Sequence, residues 1–357
     1  DFFHARTRGG ILQEEIWIRP GDTITPHDIN EIQNRLRGLG AFAEIRTSFD
    51  TTSQVHEDLP EGTLLVRTRD TWSILLYATY ARSQDETTYA LSLTDYNLLG
   101  TVNRLGIGTD YSSLGTRGHR YYGTYRNGNL FGTFHSLDAS AVVGDHETSF
   151  FGQIALPVFT DRFRNAYAIA ASSFDGARVA FPHGFRGTRS IDVPVTTTDG
   201  SAWFSRTNGA RGDVFRWSLS TQFDRTRRDT LPEFARAFEN TVGLFAGIAS
   251  HRRRYVYVRD ADFNGERQIP IGAYGSVSVG KISPHNNGKE NLIYIGFDAG
   301  KSIISRDIYA NADVAAGTGF RDRSTAFTTL RWALSGAWMT HPGALAVRAD
   351  QSTVWNW

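Results

Sequence analysis

Residues 215–223 read FRWSLSTQF, in which apolar and polar side chains alternate and Thr221 is the one polar residue on the apolar side. In an extended chain, Phe215, Trp217 and Leu219 therefore fall on one face and Arg216 on the other. A period of two is the signature of a β-strand with two unlike faces, and a helix would scatter these apolar residues around its surface. The stretch predicts a strand, and the same pattern decides the fold of most of the chain.

The alternation recurs from about residue 72 to the end, in about 13 to 15 segments of roughly ten residues each. In one segment Leu105 and Ile107 alternate with Arg104 and Asp110. No helical periodicity competes with this pattern after residue 72. We therefore predict a mainly β fold built from antiparallel strands of about 8–14 residues.

Strands with one apolar and one polar face fit either a soluble sandwich or a transmembrane barrel. Aromatic residues near the strand ends, Arg and Asp in mid-strand and the length of the pattern favour the barrel. We expect the apolar set to face lipid: Leu105, Ile107, Phe215, Trp217, Leu219, Trp332 and Leu334. We expect the charged set to face the lumen, where water lowers its cost: Arg104, Asp110, Arg216 and Arg331.

A five-residue repeat supports the barrel. Residues 97–101 read NLLGT, and residues 129–133, which lie 32 positions later, read NLFGT. Two strands of about ten residues, a short turn and a longer loop account for that period, although a coincidence of turn residues is the alternative. The repeat predicts short periplasmic turns, with Asn and Gly at positive φ, formed by Asn97, Leu98, Gly100, Asn129, Leu130 and Gly132. Residues 161–165 are a third candidate.

The first 70 residues have a different pattern. Ile11, Leu12, Ile16 and Ile18 predict a short strand. A helix follows, with Thr25 as its N-cap, Pro26 at its first position, apolar residues 29, 32, 36 and 39 on one face, and glycines 38 and 40 at its end. Two strands are predicted around residues 42–49 and 63–69. The order strand, helix, strand, strand is that of a small α+β module.

Composition excludes several functions. Lys and Arg total 38 against 37 Asp and Glu, so no bulk positive field would bind nucleic acid. The absence of cysteine excludes a disulfide scaffold and a thiolate metal site. The ten His residues show no metal-ligand spacing, and no nucleophile elbow or phosphate-binding loop occurs. We therefore expect no catalytic residue, no cofactor and no metal.

Several stretches resemble one family. The turn PGD at 20–22, the helix end LRGLG at 36–40 and the following AFAEI at 41–45 resemble the last POTRA module of outer-membrane assembly proteins of the BamA/TamA superfamily. VRTRDTWS at 66–73 resembles that module's last strand entering a barrel, and DYNLLG at 95–100 resembles the first periplasmic barrel turn. RQIPIG at 267–272 is similar to a later strand entry.

The resemblance implies a POTRA-like periplasmic module at residues 1–71 and an outer-membrane barrel at 72–357. It implies insertion of barrel proteins into the outer membrane, or movement of polypeptides across it. The implied partners are outer-membrane lipid, unfolded client polypeptides and periplasmic accessory proteins. The strand at 73–81 would act as a gate. The alternative is a passive pore or a barrel anchoring an upstream passenger, such as a phospholipase.

One family feature is missing. The lumen-loop tetrapeptide Val/Leu-Arg-Gly-Phe/Tyr does not occur in this sequence. This departure predicts a segment of a longer chain, in which the strand near 345–355 does not pair with the strand near 73–81. The rival interpretation takes the aromatic residues 355–357 as the natural end of a closing strand.

Overall fold

The computed structural model describes residues 5–56, 59–83, 86–113, 118–157, 163–180, 191–210, 213–228, 240–259, 266–284, 290–305, 308–321, 324–339 and 344–356. Strands dominate these residues, and two α-helices precede them in the chain. The mainly β fold predicted from the alternation is confirmed. The chain divides into two compact units, Asp1–Ile154 and Ala155–Trp357.

The first unit holds both helices and the strands up to β8, whose last two residues fall in the second unit. Its elements are α1 (Gly9–Glu14), α2 (Pro26–Gly38), β1 (Phe42–His56), β2 (Leu59–Asp70), β3 (Ile74–Arg82), β4 (Thr87–Asp95), β5 (Arg104–Ser112), β6 (Gly118–Leu130), β7 (His135–Gly144) and β8 (Glu147–Leu156). A single 3₁₀ turn, Leu98–Gly100, lies between β4 and β5.

The described part of the second unit consists almost entirely of strands. They are β9 (Asn165–Ala180), β10 (Ile191–Ala210), β11 (Asp213–Arg228), β12 (Thr241–Arg259), β13 (Glu266–Pro284), β14 (Leu292–Ser305), β15 (Ile308–Arg321), β16 (Ser324–Met339) and β17 (Ala344–Asn356).

Two sheets account for these strands. Strands β1 and β2 form an antiparallel pair, and β3 to β17 follow one another in chain order in a sheet of 15 strands. Neighbours from β3 to β7 and from β9 to β17 are antiparallel. Strands β3 and β17 are the end strands of this order, and among the described residues no ladder joins them.

Helix α2 begins and ends where the sequence predicts. The Thr25 hydroxyl accepts the backbone N–H of Asp28 at 3.3 Å, and the Asp28 carboxylate accepts the N–H of Thr25 at 2.8 Å. This reciprocal capping box satisfies two donors that a helix start leaves open. Beyond the last turn, Gly40 has a φ of +72°, which glycine adopts without steric cost.

The apolar face of α2 packs on β1. Ile32 and Leu36 on the helix are fully buried. Ala41 and Ile45, which follow the helix in the chain, are buried as well. The sequence predicted this helix face from its 3–4 spacing, and Leu36 confirms it.

The prediction of a strand over residues 11–18 is wrong. Residues 9–14 form helix α1, in which the N–H of Leu12 donates to the carbonyl of Arg8 and the N–H of Glu15 to that of Ile11, both at 3.2 Å. The good helix formers Gln13, Glu14 and Glu15 favour this conformation. A short apolar run does not distinguish strand from helix by periodicity. The N-terminal sheet therefore has two strands instead of three.

Strand length is a second correction. Strands β3 to β8 have 9–13 residues, but β10 has 20 and β12 and β13 have 19 each. The sequence estimate counted only the alternating apolar stretch. The ladder continues past it, because backbone hydrogen bonds need no apolar side chains: Thr196 and Thr198, for example, pair with residues 227 and 225.

We expect Leu36→Ala to destabilise the N-terminal module by about 2–5 kcal/mol, because it leaves a cavity in a fully buried site. Unfolding of the purified chain in urea, with proteolytic cleavage within residues 5–70 as the readout, measures the loss of stability. Leu39→Ala, at a half-buried position on the same helix end, is the matched control and should cost clearly less. Equal losses for the two variants would contradict the packing described here.

Candidate functional site at the N-terminal module and the first strands

The first repeated turn is closed by the side chain of Asn97, which is 1% exposed. Its Oδ1 accepts the backbone N–H of Val102 at 2.9 Å, and its own N–H donates to Asp95 Oδ1 at 2.9 Å. The Thr101 hydroxyl donates to the carbonyl of Leu98 at 2.6 Å. Asn97, Leu98 and Thr101 therefore each take part in hydrogen bonds within the turn.

The second repeated turn has the same hydrogen bonds. Asn129 Oδ1 accepts the N–H of Phe134 at 2.6 Å, and the N–H of Asn129 donates to Asn127 Oδ1 at 2.8 Å. The Thr133 hydroxyl donates to the carbonyl of Leu130 at 2.6 Å. The sequence repeat therefore corresponds to a repeated turn structure, and its periplasmic location stays a prediction.

The backbone of these turns differs from the expectation in one respect. Gly100 and Gly132 have φ values of +76° and +70°, but Asn97 has a φ of −141°. Leu99 and the β-branched Val102 take the other positive φ values, +54° and +53°. Such strain costs about 1–3 kcal/mol per residue and needs a surrounding structure that enforces it. The asparagine side chain provides part of that structure, because its amide oxygen accepts the N–H of Val102.

The first turn also binds the N-terminal segment. The Asn97 Nδ2 group donates to the carbonyl of Ala5 at 3.1 Å and to the Thr7 hydroxyl at 3.0 Å, and the N–H of Arg8 donates to the carbonyl of Gly100 at 3.0 Å. A Cβ atom on Gly100 would collide with the Arg6 carbonyl. Asn97 thus closes its turn with one end of its amide and holds the N-terminal segment with the other.

The second turn binds the helices in the same way. Asn129 Nδ2 donates to the carbonyl of Glu14, at the end of α1, at 2.8 Å. From α2, the Arg35 guanidinium lies 5.0 Å from the centre of the Phe134 ring and donates to the carbonyl of Gly128 at 3.5 Å. Both repeated turns are therefore docking points for the N-terminal module.

A buried ion pair lies at the second docking point. The Glu15 carboxylate and the Arg35 guanidinium are 2.5 Å apart, with side chains 3% and 8% exposed. Burial raises the pKa of Glu15 above its ordinary value, and the Arg35 charge offsets this only in part. Burial likewise lowers the pKa of Arg35, against the Glu15 charge. Because desolvation opposes the charged form of both groups, we expect the pair to contribute less to stability than its short distance suggests.

The polar face of the first strands carries a charge network. Arg120 on β6 donates to Asp110 on β5 at 2.6 Å and to Glu147 on β8 at 3.1 Å. Asp110 belongs to the predicted lumen set. Arg104, of the same set, is exposed and its guanidinium lies 4.6 Å from the centre of the Tyr96 ring.

In the second unit, the predicted charged residues lie on the face opposite the apolar set. Arg216 donates to the Thr207 hydroxyl at 3.3 Å. Arg331 lines a cavity of about 330 Å³ in which the Tyr274 hydroxyl donates to Asp298 at 3.2 Å and to Asp313 at 2.9 Å. The orientation of the four predicted charged residues toward a lumen stays a prediction.

The predicted lipid-facing residues are largely exposed. Six of them present large apolar surface: Leu105, Ile107, Phe215, Trp217, Leu219 and Leu334. Trp332 is half-buried, and its indole N–H donates to the Gln351 side chain at 3.2 Å. Contact of this set with lipid stays a prediction.

Strand β3 is the least covered strand of the first unit. It pairs with β4 over nine residues, from Ile74 opposite Asp95 to Arg82 opposite Thr87, and no other described strand pairs with it. Every residue from 75 to 82 is exposed, including Leu76 at 66% and Tyr80 at 65%. This strand is therefore apolar on both faces and open along one edge.

Within the described ranges, no group of three or more His, Asp or Glu side chains is placed to hold a metal ion. None of the helices in the described part of the chain combines the length and apolarity that a membrane crossing requires.

Comparison with known proteins gives matches in structure only. No family model matches the chain, and no curated protein matches its sequence. The chain is similar to BamA from Haemophilus ducreyi lacking POTRA domains 1–3, with 12% identity and a TM-score of 0.40 over 97% of this chain and 79% of that one.

Two further solved structures are similar to this chain. CdiB from Acinetobacter baumannii has 9% identity and a TM-score of 0.33, over 99% of this chain and 72% of that one. CdiB from Escherichia coli has 10% identity and a TM-score of 0.33, over 98% and 73%.

Sequence reasoning missed Glu15, Arg35, Phe134 and Arg120. The first three are far apart in the chain and meet only when the second turn docks on α2. A signal for Phe134 did exist, because it follows the NLFGT motif at the position that Val102 holds after NLLGT.

We expect Gly100→Ala to release the N-terminal segment, because its Cβ would collide with the Arg6 backbone, while Gly132→Ala would not release it. Both variants place alanine at positive φ, which costs about 1–2 kcal/mol. At Gly132, however, the nearest atom to the new Cβ is a Glu14 side-chain carbon at 3.5 Å, an ordinary contact. Proteolytic cleavage near residues 5–8 measures the release, and equal cleavage of both variants would contradict the docking geometry.

We expect Arg35→Met to destabilise the N-terminal module by about 3–5 kcal/mol, because it leaves a buried carboxylate unpaired. The double variant Glu15→Met, Arg35→Met should recover much of the loss, since neither charge is then buried. Urea unfolding of the module measures both, and Arg37→Met on the same helix is the control. A double variant no more stable than the single one would contradict this account of the pair.

Proposed function

We propose that this chain is an outer-membrane protein that inserts β-barrel proteins into the outer membrane or moves polypeptides across it. In this proposal the strands β3 to β17 belong to a membrane barrel, and the N-terminal module is POTRA-like and lies in the periplasm. The reaction involves no covalent chemistry, so the proposal needs no catalytic residue and no cofactor. The partners are outer-membrane lipid, unfolded client polypeptides and periplasmic accessory proteins.

The observation that carries the proposal is the open edge of β3. Backbone N–H and C=O groups that lack a partner in hydrocarbon each cost several kcal/mol. An edge strand with apolar side chains on both faces therefore gains much from a second strand in the membrane. A client strand that pairs with β3 satisfies the open edge of β3 and one of its own two edges, and so enters the bilayer with about half of its backbone groups already paired.

The N-terminal module supports the same proposal. Its sheet has two strands, β1 and β2, and no described strand pairs with their outer edges. Such edges can accept an extended polypeptide as an added strand. Only residues 71–73 connect β2 to β3, and the N–H of Thr71 donates to the carbonyl of Ala41 at 2.9 Å. A client strand held at β2 would thus be close in the chain to the open edge of β3.

The docking of the two repeated turns gives this arrangement its rigidity. Asn97 and Asn129 join the module to the turns that precede β5 and β7. A module held at two points keeps its sheet edges in a defined position relative to β3. The proposal therefore assigns the turns a positioning role.

Disulfide crosslinking to an arrested client tests the proposal. The chain has no cysteine, so one introduced at Tyr77 on β3 is unique. Ser92, which lies opposite Tyr77 on β4, is the matched control because β4 has a partner on both sides. We expect the Tyr77→Cys variant to crosslink to a cysteine in the last strand of the client, and the Ser92→Cys variant not to.

The readout also separates the alternatives. Client insertion into liposomes without any crosslink at Tyr77 would contradict a role for β3. A passive pore or passenger anchor would conduct ions but would not accelerate client insertion.

A further inference from the structure

Four exposed arginines surround the junction at which the chain passes from the N-terminal module into strand β3. Two belong to the N-terminal segment and two to the end of β2, and we call them the junction arginines: Arg6, Arg8, Arg67 and Arg69. The N–H of Thr7 donates to the Asp70 carboxylate at 2.8 Å, which holds the two segments together. Three of the arginines are one residue away from an end of this hydrogen bond. The structure therefore gathers their positive charges at one corner of the first unit.

The register of β1 and β2 places like charges opposite each other at this corner. Arg67 lies directly opposite Arg46, and like charges in opposite positions destabilise a sheet. Arg69 approaches Glu44 at 3.7 Å, but the same carboxylate also binds Arg46. The other three junction arginines have no ion-pair partner among the described residues.

The carboxylates at this corner do not balance the arginines. Those that the described contacts bring here are Glu44, Asp70 and Asp95, against five guanidinium groups when Arg46 is counted. Asp70 and Asp95 also accept backbone N–H groups, at 2.8 Å and 2.9 Å. A surplus of positive charge therefore remains, and an anion outside the protein would lower its free energy.

Two exposed apolar side chains lie at the same corner. Trp72, which follows Asp70 by two residues, is 63% exposed, and Leu99 is 69% exposed. Leu99 precedes Gly100, whose carbonyl accepts the N–H of Arg8 at 3.0 Å. Exposed indole and guanidinium groups together are typical of a membrane–water interface, where the ring enters the headgroup region and the basic group meets phosphate.

The path of the chain determines where that interface lies. In the proposed topology the module is in water and β3 is in the bilayer, so the bilayer surface crosses the chain between them. Ile74 begins β3, and Arg69 precedes it by five residues, which span at most about 17 Å. Connectivity alone therefore places this arginine beside the bilayer surface, and the Thr7 hydrogen bond places the N-terminal pair with it.

We propose that the junction arginines bind anionic phospholipids of the adjacent leaflet, with phosphate groups at the guanidiniums and with Trp72 and Leu99 among the headgroups. This inference rests on the proposed function, because it requires a module outside the bilayer and β3 within it. It adds the class of lipid and the residues that recognise it. An acidic polypeptide would account for the arginines, but a bilayer surface accounts for the two exposed apolar side chains as well.

Quenching of a single fluorescent label by brominated lipids tests the proposal on the full chain. The chain has no cysteine, so Trp72→Cys carries one label at the junction and leaves all four arginines in place. The chain is reconstituted with phosphatidylglycerol and phosphatidylcholine, and either lipid carries the bromine. We expect brominated phosphatidylglycerol to quench more than brominated phosphatidylcholine at equal mole fraction. Raising the salt from roughly 0.05 M to roughly 0.5 M should reduce this preference, because salt screens the attraction.

Substitution of single arginines gives the magnitude. Arg67→Gln and Arg69→Gln should each raise the mole fraction of phosphatidylglycerol at half-maximal quenching about fivefold, the factor that one basic residue near an anionic surface supplies. Arg67→Lys keeps the charge and should change this mole fraction little. Arg82→Gln is the matched control, since Arg82 is exposed and ends β3 far from the junction. Heat-dependent mobility in gel electrophoresis shows which variants fold, and the salt dependence of the labelled chain needs no arginine variant.

Each result has a defined meaning. Equal quenching by the two lipids, or a preference that Arg67→Gln and Arg69→Gln leave unchanged, would overturn the proposal, as would an equal loss in Arg82→Gln. Polyglutamate that abolishes the quenching would identify an acidic polypeptide as the partner and would also overturn it. A chain that floats with membranes but shows no lipid preference contradicts only this inference. A chain that does not float contradicts the proposed function, so the two failures are distinguishable.

Discussion

The pairing of backbone groups is the constraint on which the rest of this structure depends. An extended chain presents an N–H and a C=O group at every residue, and each needs a partner wherever water is absent. Strands β4 to β16 satisfy this requirement on both sides. Among the described strands, β3 has a neighbour on one side only, and it exposes apolar side chains on both faces. Strand β17, at the other end of the order, also has one described neighbour. The proposed function follows from the open edge of β3, which lies next to the N-terminal module in the chain.

A second constraint fixes the N-terminal module. Each repeated turn has strained residues at positive φ, and each uses one asparagine amide for two tasks. The oxygen of the amide closes the turn, and its nitrogen holds a backbone carbonyl of the N-terminal segment or of α1. Turn and module are therefore stabilised together. The buried pair of Glu15 and Arg35 adds specificity, because an arrangement that separates the two charges leaves both buried without a partner.

The structural predictions that proved correct rest on local sequence patterns. The alternation around Trp217 and the capping of α2 by Thr25 depend only on residues near them in the chain. Both can therefore be recognised in the sequence without knowing which residues pair between strands. The failures have physical reasons as well. The prediction of a strand around Ile11 failed because a short apolar run fits a strand and a helix equally well. The network of Asp110, Arg120 and Glu147 depends on the registers of separate strands, which side-chain alternation does not determine.

Hydrogen–deuterium exchange of the membrane-reconstituted chain tests the central claim most directly. Peptides covering residues 74–82 and 87–95 compare β3 with its neighbour β4 in the same lipid environment. The account predicts that β3 exchanges faster than β4 when the chain is alone, and that an unfolded barrel client slows β3 to the rate of β4. Equal, slow exchange of both strands without a client would show that β3 already has a partner on its second edge and would contradict the account.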